Sequence, residues 1–496
     1  MLIAGLSEGS RSGAAALADG ERLVGVCAQE RVTRVRAEGS DEGLPLAALE
    51  LLMNRLGRPL TEIGRTVVAS RHAVAGTAAD AARLDRHRAL ACTTFLTSPF
   101  DEAAVVVCDR DYPKVSVWKG QGTGVTPLDW PWAGDGFSDV YSRLTTCFGF
   151  STSAGDLRLE ALARLAPDDR DANFERQLRL DQGRLIIAPD FDGSVADRVG
   201  RAQDIPRRAG IASALQNRLG DLLVEFLTLV REQMSVDRLC LGGAFFYHSS
   251  MNTRAKQSGL FGDVYVPPDP GSRGMAVGAA LAACSTRPAL ASPFMGPAFS
   301  AQETKEVLDN CKLQYDWVSE GEAIGTTVKA LGEGRLVGWF TGGMEWGPRS
   351  LGARCILANP LAPYVLENLN RFLKKREAWR GYALSGTLEA LEDHFAGPSA
   401  SPFMECDYRP RDPERFRHVL PDLSAAMRVH SVARDSHPLF RRLLEAVGDA
   451  TGVPFVVNTS FNGFHEPIVC SPRDAVRVFY GSGLDLLVMN QFLVRK

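Results

Sequence analysis

The chain has 496 residues, 45% of them hydrophobic and 23% charged, with a formal net charge of -3. That length calls for two or three domains. The composition is that of a globular protein, and the near-neutral balance argues against a general nucleic-acid binder. No stretch stays apolar for the roughly 18 residues that a membrane span needs. The opening MLIAGLSEGSRSG has no basic region ahead of its apolar residues and reads as a first strand, not a signal peptide. Ten cysteines are scattered without a Cys-x-x-Cys pair, which points to a reducing, cytoplasmic setting without structural zinc.

In chain order, apolar segments 2–5 and 22–27 flank Gly20 and predict an opening hairpin. Helical spacing covers Leu46–Leu56, a strand covers Thr66–Ala69, and a helix is predicted over Ala78–Phe95. The run Ala103–Cys108 is a strand ending at Asp109, a carboxylate either aimed into a cleft or capping a turn. Residues 111–136 read as hairpin plus loop; Tyr141–Phe148 and Leu157–Leu165 read as helices; 166–205 is polar. A long helix follows over Ile211–Met234, then a strand, Leu239–Leu241, ending in Gly242 and Gly243, which let a backbone approach a ligand. Gly271–Gly274 opens a helix over Met275–Ala283, and the Pro- and Ser-rich 285–301 reads as a connection.

Beyond it, helices are predicted over Lys305–Asn310 and Ala323–Gly332, and a strand over Leu336–Phe340. The strand runs into a Gly- and Pro-rich loop carrying Arg349 and Arg354, a pair suited to phosphate or carboxylate. Tyr364–Leu373 is a predicted helix that delivers Lys374 and Arg376, a point charge and a planar fork for phosphate. Arg428 sits in a predicted strand, Met427–Val429, and Leu439–Val447 in a helix. The apolar run Val453–Val457 predicts a buried strand that stops at Asn458, followed by Thr459, Ser460, Phe461, Asn462 and Gly463. A polar turn is one reading of that stop. Paired with the Lys-x-Arg stretch, it reads as an anion and nucleotide site. A helix over Pro472–Tyr480 and a strand over Asp485–Val494 close the chain.

These stretches carry a family resemblance. GGMEWGPRSLGARCILANP, NRFLKKREAWRGYA, SPFM and GVPFVVNTSFNGFHEPIV resemble the O-carbamoyltransferases of nodulation-factor and antibiotic biosynthesis, as do ERVTR, SPFDEAAVVV, LGGAFFYHSSMNTRA and VYVPPDPGSRGMAVGAAL nearer the start. The resemblance implies an α/β protein of two parts. Residues 1–290 would form an ASKHA-like domain of two actin-type lobes, and 291–496 a YrdC-like domain. The YrdC-like part would make carbamoyl-adenylate from ATP, with its Mg, and carbamoyl phosphate. The ASKHA-like part would pass the carbamoyl group to a small-molecule acceptor. Lys374, Arg376, Ser460 and Asn462 match the Lys-x-Arg and Ser-x-Asn signature, with Arg349, Arg354, Arg428 and Asn458 completing the pocket. Lys374, Arg376 and Arg428 are the expected catalytic groups; Gly242 and Gly243 line the front part's ligand side.

The family's metal motif departs here. Its place reads Asp85-Arg86-His87-Arg88-Ala89-Leu90-Ala91, so the two metal histidines fall at Arg86 and Leu90, and the third ligand, an Asp, falls at Ser272. Arginine and leucine do not ligate transition metals. The early His-Asp is replaced around Ser10-Arg11-Ser12, a motif Lys by Arg158, an Asn by Tyr247, and a later motif keeps only Arg428. The expectation is therefore transfer without a transition metal, with Arg86, Arg88 or Arg273 as the substitute cation. The alternatives are a degenerate partner of a metal-competent homologue and an adenylating enzyme with another donor. Segments 111–136 and 166–205 are the expected acceptor walls. A homodimer or pairing with a homologous carbamoyltransferase is expected, with no nucleic acid or membrane partner.

Overall fold

The computed structural model describes residues 1–9, 12–20, 22–36, 43–70, 82–130, 132–151, 155–287 and 292–496. The first half carries two five-stranded sheets of one topology. In the first, β1 (Leu2–Ser7), β2 (Ala14–Ala18) and β3 (Leu23–Ala28) form an antiparallel meander, and β4 (Ile63–Ser70) and β5 (Ala82–Asp85) add parallel to β1, in the order β3-β2-β1-β4-β5. In the second, β6 (Glu102–Cys108), β7 (Val115–Gln121) and β8 (Gly124–Pro127) repeat the meander. After a side hairpin of β9 (Leu178–Asp181) and β10 (Arg184–Ile187), β11 (Arg238–Gly242) and β12 (Asp263–Tyr265) repeat the parallel addition to β6. The repeated order is the two-lobed arrangement that the resemblance implies. Helices Arg86–Leu96 and Met275–Leu281 share one apolar core with residues of both sheets, among them Val26, Val67, Val105 and Cys240.

The second half is one mixed ten-stranded sheet. Its strands are β13 (Asp316–Trp317), β14 (Val337–Phe340), β15 (Arg354–Ala358), β16 (Ala383–Thr387), β17 (Phe395–Ala396), β18 (Cys406–Pro410), β19 (Met427–Val432), β20 (Phe455–Ser460), β21 (Leu486–Met489) and β22 (Phe492–Arg495). The central run β14-β15-β20-β16-β19 carries Arg354, Asn458, Ser460, Ser385, Arg428 and His430. Side chains alternate across a strand, so Val432, Val456 and Leu357 share one face, which helices Glu320–Gly332 and Pro438–Thr451 cover. Both helices begin at capping residues, Ser319 accepting from the Glu322 N–H and His437 from that of Phe440, which fixes where each helix starts over the sheet.

Several expectations need correction. The opening is a three-stranded meander, not one hairpin: Ala14–Ala18 is alanine-rich and shows no strand periodicity, yet it is fully buried between β1 and β3. Residues 82–85 extend the first sheet as β5 before the helix that begins at Arg86, and 78–81 lie outside the described residues. Strand β20 does not stop at Asn458 but continues through Ser460, because its neighbour β15 keeps pairing with it. The predicted final strand is a hairpin, β21-β22.

Candidate functional site

One polar strip crosses a face of the ten-stranded sheet. Registers pair Ser385 with His430 and Ala383 with Asn458, so Arg428, His430, Ser385, Asn458 and Ser460 project from the same side. At one end Lys374 closes on the Ser-x-Asn loop. Its Nζ donates to Ser460 O at 2.6 Å and Asn462 Oδ1 at 2.8 Å, and Ser460 Oγ donates to the same Oδ1 at 2.7 Å. The chain reaches this point through a widened helical turn, Asn368–Lys374, and leaves with Lys375 at φ 47. Burial and then repulsion from Arg376 push the Lys374 ammonium down to about 7. Arg376 lies 4.0 Å over the Tyr382 ring, and its Nε donates to Asn370 Oδ1 at 2.8 Å. Burial and the neighbouring Arg376 bring Arg380 down to about 10. Arg158, from the first half, pairs with Glu377. Arg158, Arg376 and Arg380 thus lie around the carboxylate Glu377, with Lys374 beyond Arg376.

At the other end, Arg349 and Arg428 meet the first half of the chain. Arg349 donates to Tyr247 O at 3.0 Å, while Arg428 keeps a buried guanidinium nitrogen with no hydrogen-bond partner among the described residues. Burial lowers both, and Arg349 lowers Arg428 further. Facing them, Arg164 donates to Asp407 at 3.0 Å and to Ser249 Oγ at 2.7 Å, and pairs with Glu160 at 2.8 Å. Burial works against the charge on Glu160, but Arg164 and Arg428 hold its carboxyl below the usual range. Three arginines against two carboxylates leave this buried junction cationic.

The other expected residues are placed differently. Arg354 is wholly buried, and its guanidinium donates to the carbonyls of Thr341, Ala353, Pro297 and Gly342 at 2.8–3.1 Å, 3.7 Å above the Phe340 ring. That geometry braces the Gly-rich loop and leaves no free fork. Gly242 and Gly243 serve packing: a Cβ on the first would meet Thr94 Oγ1 at 2.3 Å, and on the second, at φ +98, Cys108 O at 2.1 Å. Sequence reasoning did not single out Ser385, His430, Glu160, Arg164 or Asp407. Polar residues inside the apolar strands ALSGT and MRVHSV were the available signal.

In the first half, Arg86 and Ser272 come together as the family's ligand positions would, but the contact is an arginine–hydroxyl hydrogen bond of 2.9 Å. Arg86 Nε also pairs with Asp109 at 2.5 Å, both side chains almost wholly buried. Asp109 therefore faces inward, toward a cation from its own chain. Leu90 is core, and His87 Nδ1 bonds Ser116 Oγ at 2.7 Å. Tyr247 OH donates to Asp269, which also pairs with Arg273 at 3.1 Å. Among the described residues no group of three or more His, Cys, Asp or Glu is placed to hold a metal ion. Ser10 and Arg11 lie outside the described residues. The residues present do not fit the family's transition metal, because its position is filled by a guanidinium already matched to a carboxylate.

A model of the carbamoyltransferase N-terminus matches residues 60–281, and a model of the carbamoyltransferase C-terminus matches 328–496. The chain belongs to the carbamoyltransferase family of enzymes. Among its relatives, an uncharacterized Synechocystis protein is 29% identical over 83% of this chain and 76% of its own length. The nodulation protein NolO of Bradyrhizobium diazoefficiens is 32% identical over 58% of this chain and 54% of its own, and NolNO of Sinorhizobium fredii 27% over 85% and 65%. The chain thus spans between half and two thirds of those nodulation proteins. Among solved structures, a Clostridium difficile 2-hydroxyisocaproyl-CoA dehydratase activator with bound ADPNP has a TM-score of 0.38 at 17% identity, covering 57% of this chain and 93% of its own. Full-length HypF in its phosphate- and nucleotide-bound form has a TM-score of 0.40 at 9% identity, covering 57% and 55%.

In this carbamoyltransferase an open cleft of about 450 Å³ also lies between the two halves, lined among others by Arg164, Asn217, Ser250, Thr253, Asp407 and Arg409. Its wall includes the Arg164–Asp407 pair that backs the Arg349–Arg428 junction. No helix among the described residues is long and apolar enough to cross a membrane.

Proposed function

We propose that residues 291–496 form a YrdC-like domain that makes carbamoyl-adenylate, and that residues 1–290 form an ASKHA-like domain receiving it for transfer to a small-molecule acceptor. Carbamoyl phosphate yields carbamate and phosphate with water. A carbamate oxygen then attacks the α-phosphorus of ATP, and the bond to pyrophosphate breaks. The acceptor's oxygen or nitrogen next attacks the carbonyl carbon, AMP leaves, and the acceptor's proton passes to solvent. Lys374, Arg376 and Arg380 would hold the phosphates, with Mg entering on the nucleotide, and Arg349 and Arg428 would meet the carboxyl end. The observation that carries this reading is Lys374 locked onto Ser460 and Asn462 inside a cationic pocket.

Transfer would proceed without the family's transition metal, since Arg86, paired with Asp109, occupies its position. The same self-pairing favours a second reading, in which the front half is a scaffold and a metal-competent homologue completes transfer. Exchange of labelled pyrophosphate into ATP, dependent on carbamoyl phosphate and abolished by Lys374→Ala, is the expected result. Wild-type protein without such exchange contradicts the adenylation step. Carbamoylated product appearing only on mixing with a homologue selects the second reading.

A further inference from the structure

We infer that the acceptor is a primary amine, seated at the junction of the two halves with its ammonium on the free oxygen of Glu160 and with His248 as the base that takes its proton. The inference rests on the adenylation reading and names the acceptor's class and the groups that activate it.

Glu160 lies on the helix Gly155–Ala163 and is wholly buried. Its Oε1 pairs with Arg164 at 2.8 Å and accepts from the Ser250 N–H at 3.4 Å. Its Oε2 is buried and has no hydrogen-bond partner among the described residues. His248 is 3% exposed, at the start of the helix Ser249–Gln257. Its ring stacks on Tyr141 at 3.9 Å and meets Phe245 edge-on at 5.9 Å, and its Nδ1 is buried and likewise without a partner. Glu160 exerts the largest charge effect on that ring. Burial nonetheless holds the imidazole below its usual range, so it is neutral at physiological pH and can present a bare nitrogen. Glu160 stays ionised against its own burial because of Arg164 and Arg428. A carboxylate oxygen and an imidazole nitrogen, both unmatched in one buried corner, fit a ligand with several N–H donors.

Charge sets the order of binding. Arg164, Arg349 and Arg428 against Glu160 and Asp407 leave one positive charge, which the phosphate of a seated adenylate cancels. The donor therefore binds first and the ammonium second. An alkylammonium gives up its proton near pH ~10, a hydroxyl only near ~16 unless a metal lowers it. Arg86, paired with Asp109, stands where the family's metal would be. In the transfer step His248 Nδ1 takes one ammonium proton and the freed nitrogen attacks the carbonyl carbon. The C–O bond to AMP then breaks, and the second proton leaves on the AMP phosphate. The products are a substituted urea and AMP. The approach is the open cleft between the halves, since Arg164 and Ser250 line it and both bond Glu160.

The test gives the full chain ATP, carbamoyl phosphate and ethanolamine, which offers an amine and a hydroxyl on one small molecule. AMP release is read, because cyanate from decaying carbamoyl phosphate carbamoylates amines without consuming ATP. One AMP per N-(2-hydroxyethyl)urea is expected by mass spectrometry, with ethylene glycol giving no AMP above the rate without acceptor. Each rate is divided by the pyrophosphate exchange of the same preparation, so a loosened fold leaves the ratio unmoved. His248→Gln is expected to lower kcat for ethanolamine by ~100-fold or more, and Glu160→Gln to raise its KM by ~10-fold or more. An ATP-dependent O-carbamate, exchange without amine-dependent AMP release, or variants whose ratios match wild type overturns the inference and leaves the adenylation reading standing. Wild type without exchange overturns the adenylation reading, and the inference with it.

Discussion

Lys374→Met separates function from stability most cleanly. The side chain sits beside Arg376 with no ion-pair partner among the described residues, and burial has already moved its ammonium down to about 7. Methionine keeps the stem and removes the charge. In the free protein, two lost hydrogen bonds at about 1 kcal/mol each are offset by release of the desolvated ammonium, so stability changes by no more than about 1 kcal/mol. Toward ATP or pyrophosphate the same change removes a charge-assisted contact worth about 2–5 kcal/mol, roughly a 30- to 4000-fold weaker complex. The depressed ammonium adds a pH signature. Above about 7 the free amine is neutral, so an anion can bind only by restoring its proton. Wild-type affinity should fall as pH rises from 7 to 9, and Lys374→Met should show no such fall. Urea unfolding and calorimetric titration at three pH values give both halves. A variant destabilised by several kcal/mol with unchanged nucleotide affinity would refute the reasoning, because Lys374 would then be structural.

Arg86→Leu strands the buried Asp109 charge and should destabilise the fold by about 3–5 kcal/mol, whereas Arg86→Leu with Asp109→Leu should recover most of the loss; urea unfolding reads both. The purified protein should hold no stoichiometric iron or zinc by elemental analysis, and chelation should leave its thermal midpoint unchanged. His430 is held down to about 3 by burial, below the ordinary histidine value near 6.5. Its stabilising effect is therefore complete above about pH 6.5 and declines as pH falls toward 3, reaching a loss of about 2 kcal/mol at pH 5. His430→Phe should unfold with a weaker dependence on pH between 7 and 5.

Legibility followed the local physics. The helix over Pro472–Tyr480 was readable to the residue because a serine–aspartate capping box and Pro472 mark its start. The cationic residues were readable as motif, and the fold confirms that Lys374 meets Ser460 and Asn462. Strand β2 was not readable, since alanine carries little β preference and only burial between two neighbours makes Ala14–Ala18 a strand. Arg354 looked like a ligand group because a loop arginine in a Gly- and Pro-rich stretch carries no sign of the four carbonyls that engage it. The meeting of Ser385, His430 and Asn458 depends on the registers of three strands distant in sequence, which no local window contains.

The central claim is that the second half of the chain holds the nucleotide and charges a carbamoyl group with AMP. A crystal of the full chain soaked with ATP and carbamoyl phosphate tests it most directly. Adenylate density against Lys374, Arg376 and the Ser460–Asn462 loop is the predicted result. Nucleotide seated only between the two front lobes, with that loop unchanged, would contradict it.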